Sequence, residues 1–205
     1  QIIHFDDPVG RSVKAWVMGG NRHLPDDVRL HWAVPTSSDF HARFSATARH
    51  YRYILCNTSI RPAALHGLVT WYRNELDLVA MNEAAKYLHG EQDFSAFRAA
   101  SCQANSPMRH VSDCHVHRRG DFVIIDITAN AFLHHMVRNI TGSLVAVGTH
   151  SRSVDWFQAV LLSRDRTQAA ETAPPEGLYL TRVDYPEVFG LPDTPEGPTM
   201  LTGRL

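Results

Sequence analysis

Apolar residues recur with a period of two in some stretches of the chain and near 3.6 in others, and the switch between periods predicts its elements. Residues 49–56 alternate: Tyr51, Tyr53 and Leu55 share one face, and His50, Arg52 and Ile54 share the other. That predicts a strand with one buried face. Residues 111–118 and 122–129 flank Gly120-Asp121 as a hairpin, and the apolar run Phe122–Ile127 predicts a central strand. Leu178–Val183 predicts a last strand. Between these the period lengthens. Met81, Ala84, Ala85 and Leu88 form a stripe on a helix capped by Asp77 and stopped by Gly90, with its end near His89. Leu133, Met136, Val137, Ile140 and Leu144 form the inward stripe of a helix over 131–147. Ser153 caps a third helix through Leu162, and a turn is expected over 167–173, ended by Pro174-Pro175. A surface-running tail is expected beyond Pro186.

The first 36 residues are less regular. Ile2, Ile3 and Phe5 predict a strand end, Ser12–Gly19 a short helix with Val13, Trp16 and Val17 on one face, and Leu30–Val34 a strand before Pro35. The opening lacks a starting Met and reads as a strand already under way, which predicts an upstream segment. Strands separated by helices, with at least one hairpin, predict an α+β fold: a mainly antiparallel sheet with helices packed on one face. No internal repeat interrupts this reading.

Composition narrows the class. The chain has 205 residues, 44% hydrophobic and 20% charged, enough for a sizeable core. No apolar run reaches the ~20 residues that span a bilayer, and the opening has no basic region followed by an apolar core, so neither a membrane partner nor a secretory signal is expected. Cys56, Cys102 and Cys114 are odd in number, far apart and without a CxxC, which reads as reduced thiols in a cytoplasmic protein.

Charge changes the picture more. The net charge is −1, yet residues 40–74 hold five arginines and no acid. Residues 94–112 hold Arg98 and Arg109, and residues 127–154 hold Arg138 and Arg152, again without an acid. Separated basic stretches on a neutral protein suit a polyanion-binding face, with chance clustering as the alternative. The block Phe40–Tyr53 interleaves three arginines and two histidines with four aromatics, the composition of a surface that grips a phosphate backbone and stacks on bases.

Single residues admit two readings. Tyr51 is either a core tyrosine or a phenol for proton transfer. Arg138, inside an apolar segment, either reaches solvent or meets an anionic group, and His134 and Thr141 are expected on its face, opposite the apolar stripe. His134 and His135 are adjacent and point to different helix faces. His115 and His117 share a strand face and could bind zinc with a third ligand, but no carboxylate is placed for it, so no metal is assigned.

Several blocks in order resemble the tRNA pseudouridine synthase A family. They are QIIHF at the opening, FHARFSATARHYRY at 40–53, GEQDFSAFRA at 90–99, QANSP at 103–107, NAFLHHMVRNITGSL at 130–144 and EGLYL at 176–180. The resemblance covers nearly the whole chain. It implies the pseudouridine synthase fold, divided into a remnant of the N-terminal α/β domain over 1–36 and a C-terminal RNA-binding and catalytic domain over 37–205. It implies isomerisation of uridine to pseudouridine in the tRNA anticodon stem-loop, without a cofactor, by a cytoplasmic homodimer that binds tRNA. The residues it implies at the reaction are Tyr51, packing on the uracil and accepting a proton, Arg138, paired with the nucleophilic aspartate, and Leu178, beneath the flipped base. Those implied at the RNA are Arg11, Phe40, His41, Ala42, Arg43 and Phe44, and the loop Gln103, Ala104, Asn105, Ser106 and Pro107. The family's Gly-Arg-Thr-Asp-Ala-Gly type loop is absent, so the nucleophile is expected upstream of Gln1 and this chain is expected to be inactive alone. A non-catalytic RNA-binding fragment and a histidine-based metallohydrolase are the alternative readings.

Overall fold

β1 (Ala48–Asn57) is the strand on which the sheet is built. The computed structural model describes residues 1–193, 197–198 and 201. One edge of β1 takes β5 (Phe122–Ala129) antiparallel, with Tyr51 opposite Ile127 and Tyr53 opposite Ile125. The other edge is shared: β6 (Leu178–Asp184) runs antiparallel along its first half, and β2 (Thr70–Tyr72) runs parallel along its second. β4 (Met108–Arg119) pairs with β5, and β3 (Gly90–Asp93) pairs with β4, both antiparallel. The expected α+β architecture is therefore present, and the β5 run is central because β1 and β4 cover both its edges.

The period-two reading of β1 assigns its faces. Tyr53 and Leu55 are buried in the main core with Val123, Ile125 and Ile127, and Tyr51 packs against it. Three helices close that face: α2 (Leu78–Ala85), α3 (Met136–Gly148) and α4 (Val154–Ser163). The Asp77 carboxylate accepts from the N–H groups of Val79 and Ala80, and the Ser153 hydroxyl from that of Trp156, as N-cap chemistry requires. α2 tightens into a 3₁₀ turn over Lys86–Leu88 before Gly90. Phe97 and Phe157 stack 5.6 Å apart at the junction of α4 and the segment after β3. On the opposite face Ile54, Cys56, Val69 and Ile124 form a small patch that Leu201 covers.

Several expectations are corrected. Ile2–Phe5 and Leu30–Val34 form no strand: no free strand edge lies beside them among the described residues, and an unpaired strand leaves its backbone groups without partners. Leu30 instead exchanges two hydrogen bonds with the Asn21 side chain. The short N-terminal helix extends further, as α1 (Val13–His23) capped by Ser12, and buries no residue; the first buried residue of the chain is Phe40. α3 begins at Met136, because His135 adopts a left-handed conformation with φ of 60° and breaks the helix expected from residue 131. His134 therefore does not lie one turn before Arg138. The turn expected over 167–173 sits at Arg166–Gln168. The tail expected beyond Pro186 lies partly outside the described residues; its described part forms a 3₁₀ turn, Glu187–Phe189, and includes buried Leu201.

Residues 169–177 form a strap along α3. Thr141, expected beside Arg138 on an outward face, is fully buried. The Ser143 hydroxyl accepts from the Ala170 N–H at 3.3 Å, and Arg166 and Thr172 both meet the Asn139 side-chain carbonyl. Gly142 makes this contact possible: a Cβ there would stand 2.0 Å from the Glu171 carbonyl oxygen. Gly142→Ala is expected to push the strap away and to lower stability by about 1–3 kcal/mol, the usual cost of overpacking, measured by urea unfolding.

Candidate active site

The strap, the start of α3 and β1 enclose a cleft of about 430 Å³. Tyr51, Arg138 and Leu178 all line it, although 127 positions separate the first from the last. Tyr51 comes from the core face of β1, and its ring meets Phe132 edge-on at 4.9 Å. Burial raises its phenol pKa above the ordinary value, and the Arg49 guanidinium opposes the shift.

Arg138 stands in the first turn of α3 and turns toward the strap. Its Nε donates to the Ala173 carbonyl at 2.7 Å, its backbone carbonyl accepts from the Ala173 N–H at 3.1 Å, and Nη1 lies 3.2 Å from His135 Nε2. His135, in its left-handed conformation, forms the cleft lip, its ring 3.9 Å from that of His134. Burial and the neighbouring His134, Arg138 and Arg166 all lower the His135 pKa, so its imidazole is neutral at pH 7. No Asp or Glu lines the cleft among the described residues.

Leu178 is placed from beneath. Gly177 has φ of 93°, and a Cβ there would stand 2.5 Å from the Ile54 carbonyl oxygen, so the chain can lie against β1 only as glycine. The Ile54 N–H donates to the Gly177 carbonyl at 2.9 Å. Tyr53, buried next to the cleft, donates to the Pro174 carbonyl at 2.7 Å and touches the Thr70 hydroxyl at 2.6 Å; Thr70 in turn donates to the Glu176 carbonyl. Burial, opposed by Thr70, pushes the Tyr53 phenol up to about 12. These contacts fix the carbonyls that lead into Leu178.

The RNA-contact candidates divide. Phe44 is 75% exposed, with the Arg43 guanidinium 5.6 Å from its ring centre. The His41 ring lies 4.3 Å from Phe44 and 4.4 Å from His4, giving a short column of rings. The His41 Nδ1 accepts from the Arg43 and Phe44 N–H groups, and the Ala42 carbonyl from Tyr185 at 2.6 Å. Arg49 donates to the carbonyls of Arg43, Ala46 and Asn130, tying this turn to the segment before the cleft lip. Phe40 departs from the expectation of an exposed stacking ring: it is buried between Tyr185 and Phe189 and anchors the turn. The loop of Gln103, Ala104, Asn105, Ser106 and Pro107 follows Cys102, which contacts His134 at the cleft. Arg98 donates to the Cys102 and Ala104 carbonyls, Arg109 to that of Ser106, and Cys102 Sγ accepts from the His134 N–H. Gln103, Asn105 and Ser106 are exposed. Arg11 packs on Trp16 at 5.4 Å, and among the described residues none of its contacts joins it to the cleft.

Sequence reasoning missed Phe132, His135 and Pro175 as cleft residues and Tyr53 as the support of the strap. Phe132 and His135 lie in the segment 130–144, where the left-handed His135 sends their side chains away from the faces a continuous helix would give them.

Comparison with known proteins gives consistent matches. Residues 84–186 match the family described as tRNA pseudouridine synthase. The chain is 53% identical, over all 205 residues and 78% of the relative's length, to a tRNA pseudouridine synthase A of Vibrio campbellii. It is 54% identical over 201 residues to that of Photobacterium profundum, covering 98% of this chain and 77% of the relative, and 50% identical over 201 residues to that of Shewanella amazonensis.

Proposed function

Since the chain belongs to the tRNA pseudouridine synthase family, we propose that its cleft is where a tRNA uridine is isomerised to pseudouridine. The observation that carries this reading is the convergence of Tyr51, Arg138 and Leu178 on one cleft flanked by the Arg43–Phe44 turn and the 103–107 loop. The tRNA binds through phosphate contacts and ring stacking at these flanks, and the target uridine flips out of its stack into the cleft. An aspartate from outside these 205 residues is the nucleophile, attacking at the sugar or at the uracil ring, and Arg138 keeps it ionised. The bond from C1′ to N1 breaks. The uracil turns between Tyr51 and Leu178, C1′ bonds to C5, the bond to the aspartate breaks and returns its carboxylate, the C5 proton leaves to Tyr51, and N1 takes a proton from solvent. Atoms balance without a cofactor.

The domain boundary belongs at 36/37, supported by the lack of any buried residue before Phe40. Exposed Ile3, Phe5, Val13 and Met18 support a homodimer in which this segment is covered. No helix among the described residues is long and apolar enough to cross a membrane, and tRNA as substrate fits a cytoplasmic protein. The missing carboxylate favours a second reading for the 205 residues by themselves, a non-catalytic RNA-binding unit.

One assay separates these readings: pseudouridine formation on an anticodon stem-loop, with the intact mass of the polypeptide checked in the same sample. A 205-residue chain that binds RNA without turnover supports a nucleophile elsewhere; turnover by that chain refutes it. Arg43→Ala is expected to weaken tRNA binding and to reduce the salt slope by about one, as loss of one phosphate contact does. Unchanged affinity removes Arg43 from the interface.

A further inference from the structure

The face of the sheet turned away from the cleft carries a second cluster. Asp126 on β5 stands opposite His115 on β4 and opposite Arg52 on β1, and His117 follows two residues along the same face of β4. Along the strand the only neighbouring carboxylate is Asp113, which engages His115 Nδ1; the strand register supplies a second, facing one. Asp126 Oδ2 lies 3.6 Å from His115 Nε2 and 3.7 Å from His117 Nδ1, and one donor atom from each residue falls within 4.8 Å of the others. Tetrahedral zinc with bonds of ~2.0–2.1 Å holds its ligand atoms ~3.3 Å apart, so small side-chain rotations close the set.

We propose that His115, His117 and Asp126 form a binding site for a divalent transition-metal ion of the zinc type, with solvent completing its coordination. Three observations support it besides the spacing. His115 Nδ1 lies 2.8 Å from Asp113 Oδ2, which places the ring proton on Nδ1 and leaves the Nε2 lone pair toward Asp126, the carboxylate–histidine arrangement that orients metal ligands. His117 Nδ1 is buried and has no hydrogen-bond partner among the described residues. Arg52 Nε holds Asp126 Oδ1 at 2.7 Å, and Nη2 stays 3.2 Å from Oδ2, so the carboxylate is fixed in the rotamer that faces the histidines. The ion would clamp β4 to β5 and, through Asp126 and Arg52, to β1. Because the site is on the opposite sheet face from the cleft, its role is structural.

The test uses untagged protein freed of metal with a chelator, titrated with Co²⁺ and followed by its tetrahedral visible absorption, then displaced with Zn²⁺. One equivalent is expected to bind. His115→Gln and His117→Gln are each expected to weaken binding by at least ~10-fold, whereas His150→Gln leaves it unchanged. Zn²⁺ is expected to raise the thermal midpoint of the parent protein and not of His115→Gln. His115 is half-exposed, so that variant folds even if His117→Gln does not, and circular dichroism checks it. Absence of saturable Co²⁺ binding, or binding unaltered by His115→Gln, overturns the proposal.

Discussion

Arg138→Met is expected to lower pseudouridine formation by ~10²–10³-fold, the usual effect of removing one preorganised charge from a reacting group, while tRNA affinity changes little. The assay is done in protein that carries the nucleophilic aspartate. The guanidinium enters a cleft with no acid of its own among the described residues, so its positive charge is available to an incoming carboxylate. A carboxylate beside it titrates below its ordinary range and is ionised at neutral pH. Without the arginine that pKa rises, so the acid limb of the pH–rate profile moves to higher pH; a merely structural arginine would leave the limb in place. Arg138→Lys keeps the charge and loses the planar fork that reaches Ala173 and His135, and is expected to fall between the two. Collapse of the fold should not confuse the result. The Ala173 N–H still donates to the backbone carbonyl of residue 138, and Arg166, Thr172 and Asn139 still fasten the strap. Loss of the Nε bond is expected to cost about 1–3 kcal/mol. An unchanged rate, or an unchanged acid limb with a reduced rate, removes Arg138 from its charge-holding role.

The parts of this site that were legible in the sequence are those set by local periodicity. The alternation through Tyr51, Tyr53 and Leu55 assigns the faces of β1, the Gly120-Asp121 turn pairs β4 with β5, and the apolar run Phe122–Ile127 marks β5 as central. The strap was not legible, because its contacts are long-range: Ala173 meets Arg138 across 35 positions and Pro174 meets Tyr53 across 121. Nothing local to α3 announces a second covered face, the one that residues 170–172 meet at Asn139, Gly142 and Ser143. The left-handed His135 misled in another way. The apolar spacing from Leu133 onward is helical, but a single positive φ shifts the helix start and turns Phe132 and His134 away from the faces that spacing assigns them. The metal-site candidate follows the same rule: Asp126 joins His115 only through strand register.

Tyr51→Phe is expected to lower turnover by ~10²–10⁴-fold, the range for loss of a positioned acid or base, with tRNA binding retained. The substitution keeps the ring that meets Phe132 at 4.9 Å and removes only the hydroxyl, so it separates proton transfer from packing. Burial raises the pKa of this phenol, and Arg49 reduces the rise only in part. Because its pKa is raised, the phenolate is only a small minority of the phenol at pH 7. If Tyr51 accepts the C5 proton as phenolate, that fraction grows about tenfold per pH unit. The parent rate should therefore climb with pH between 7 and 9, once the carboxylate is fully ionised, and the climb should vanish in Tyr51→Phe. Deuterium at C5 of the substrate uridine should slow the parent enzyme in the same pH range, where removal of that proton limits the rate. A phenylalanine variant with parent turnover and no change in pH profile would leave Tyr51 as a wall of the cleft, pressing the uracil against Leu178, and would send the search for the proton acceptor to water or to neutral His135 at the lip.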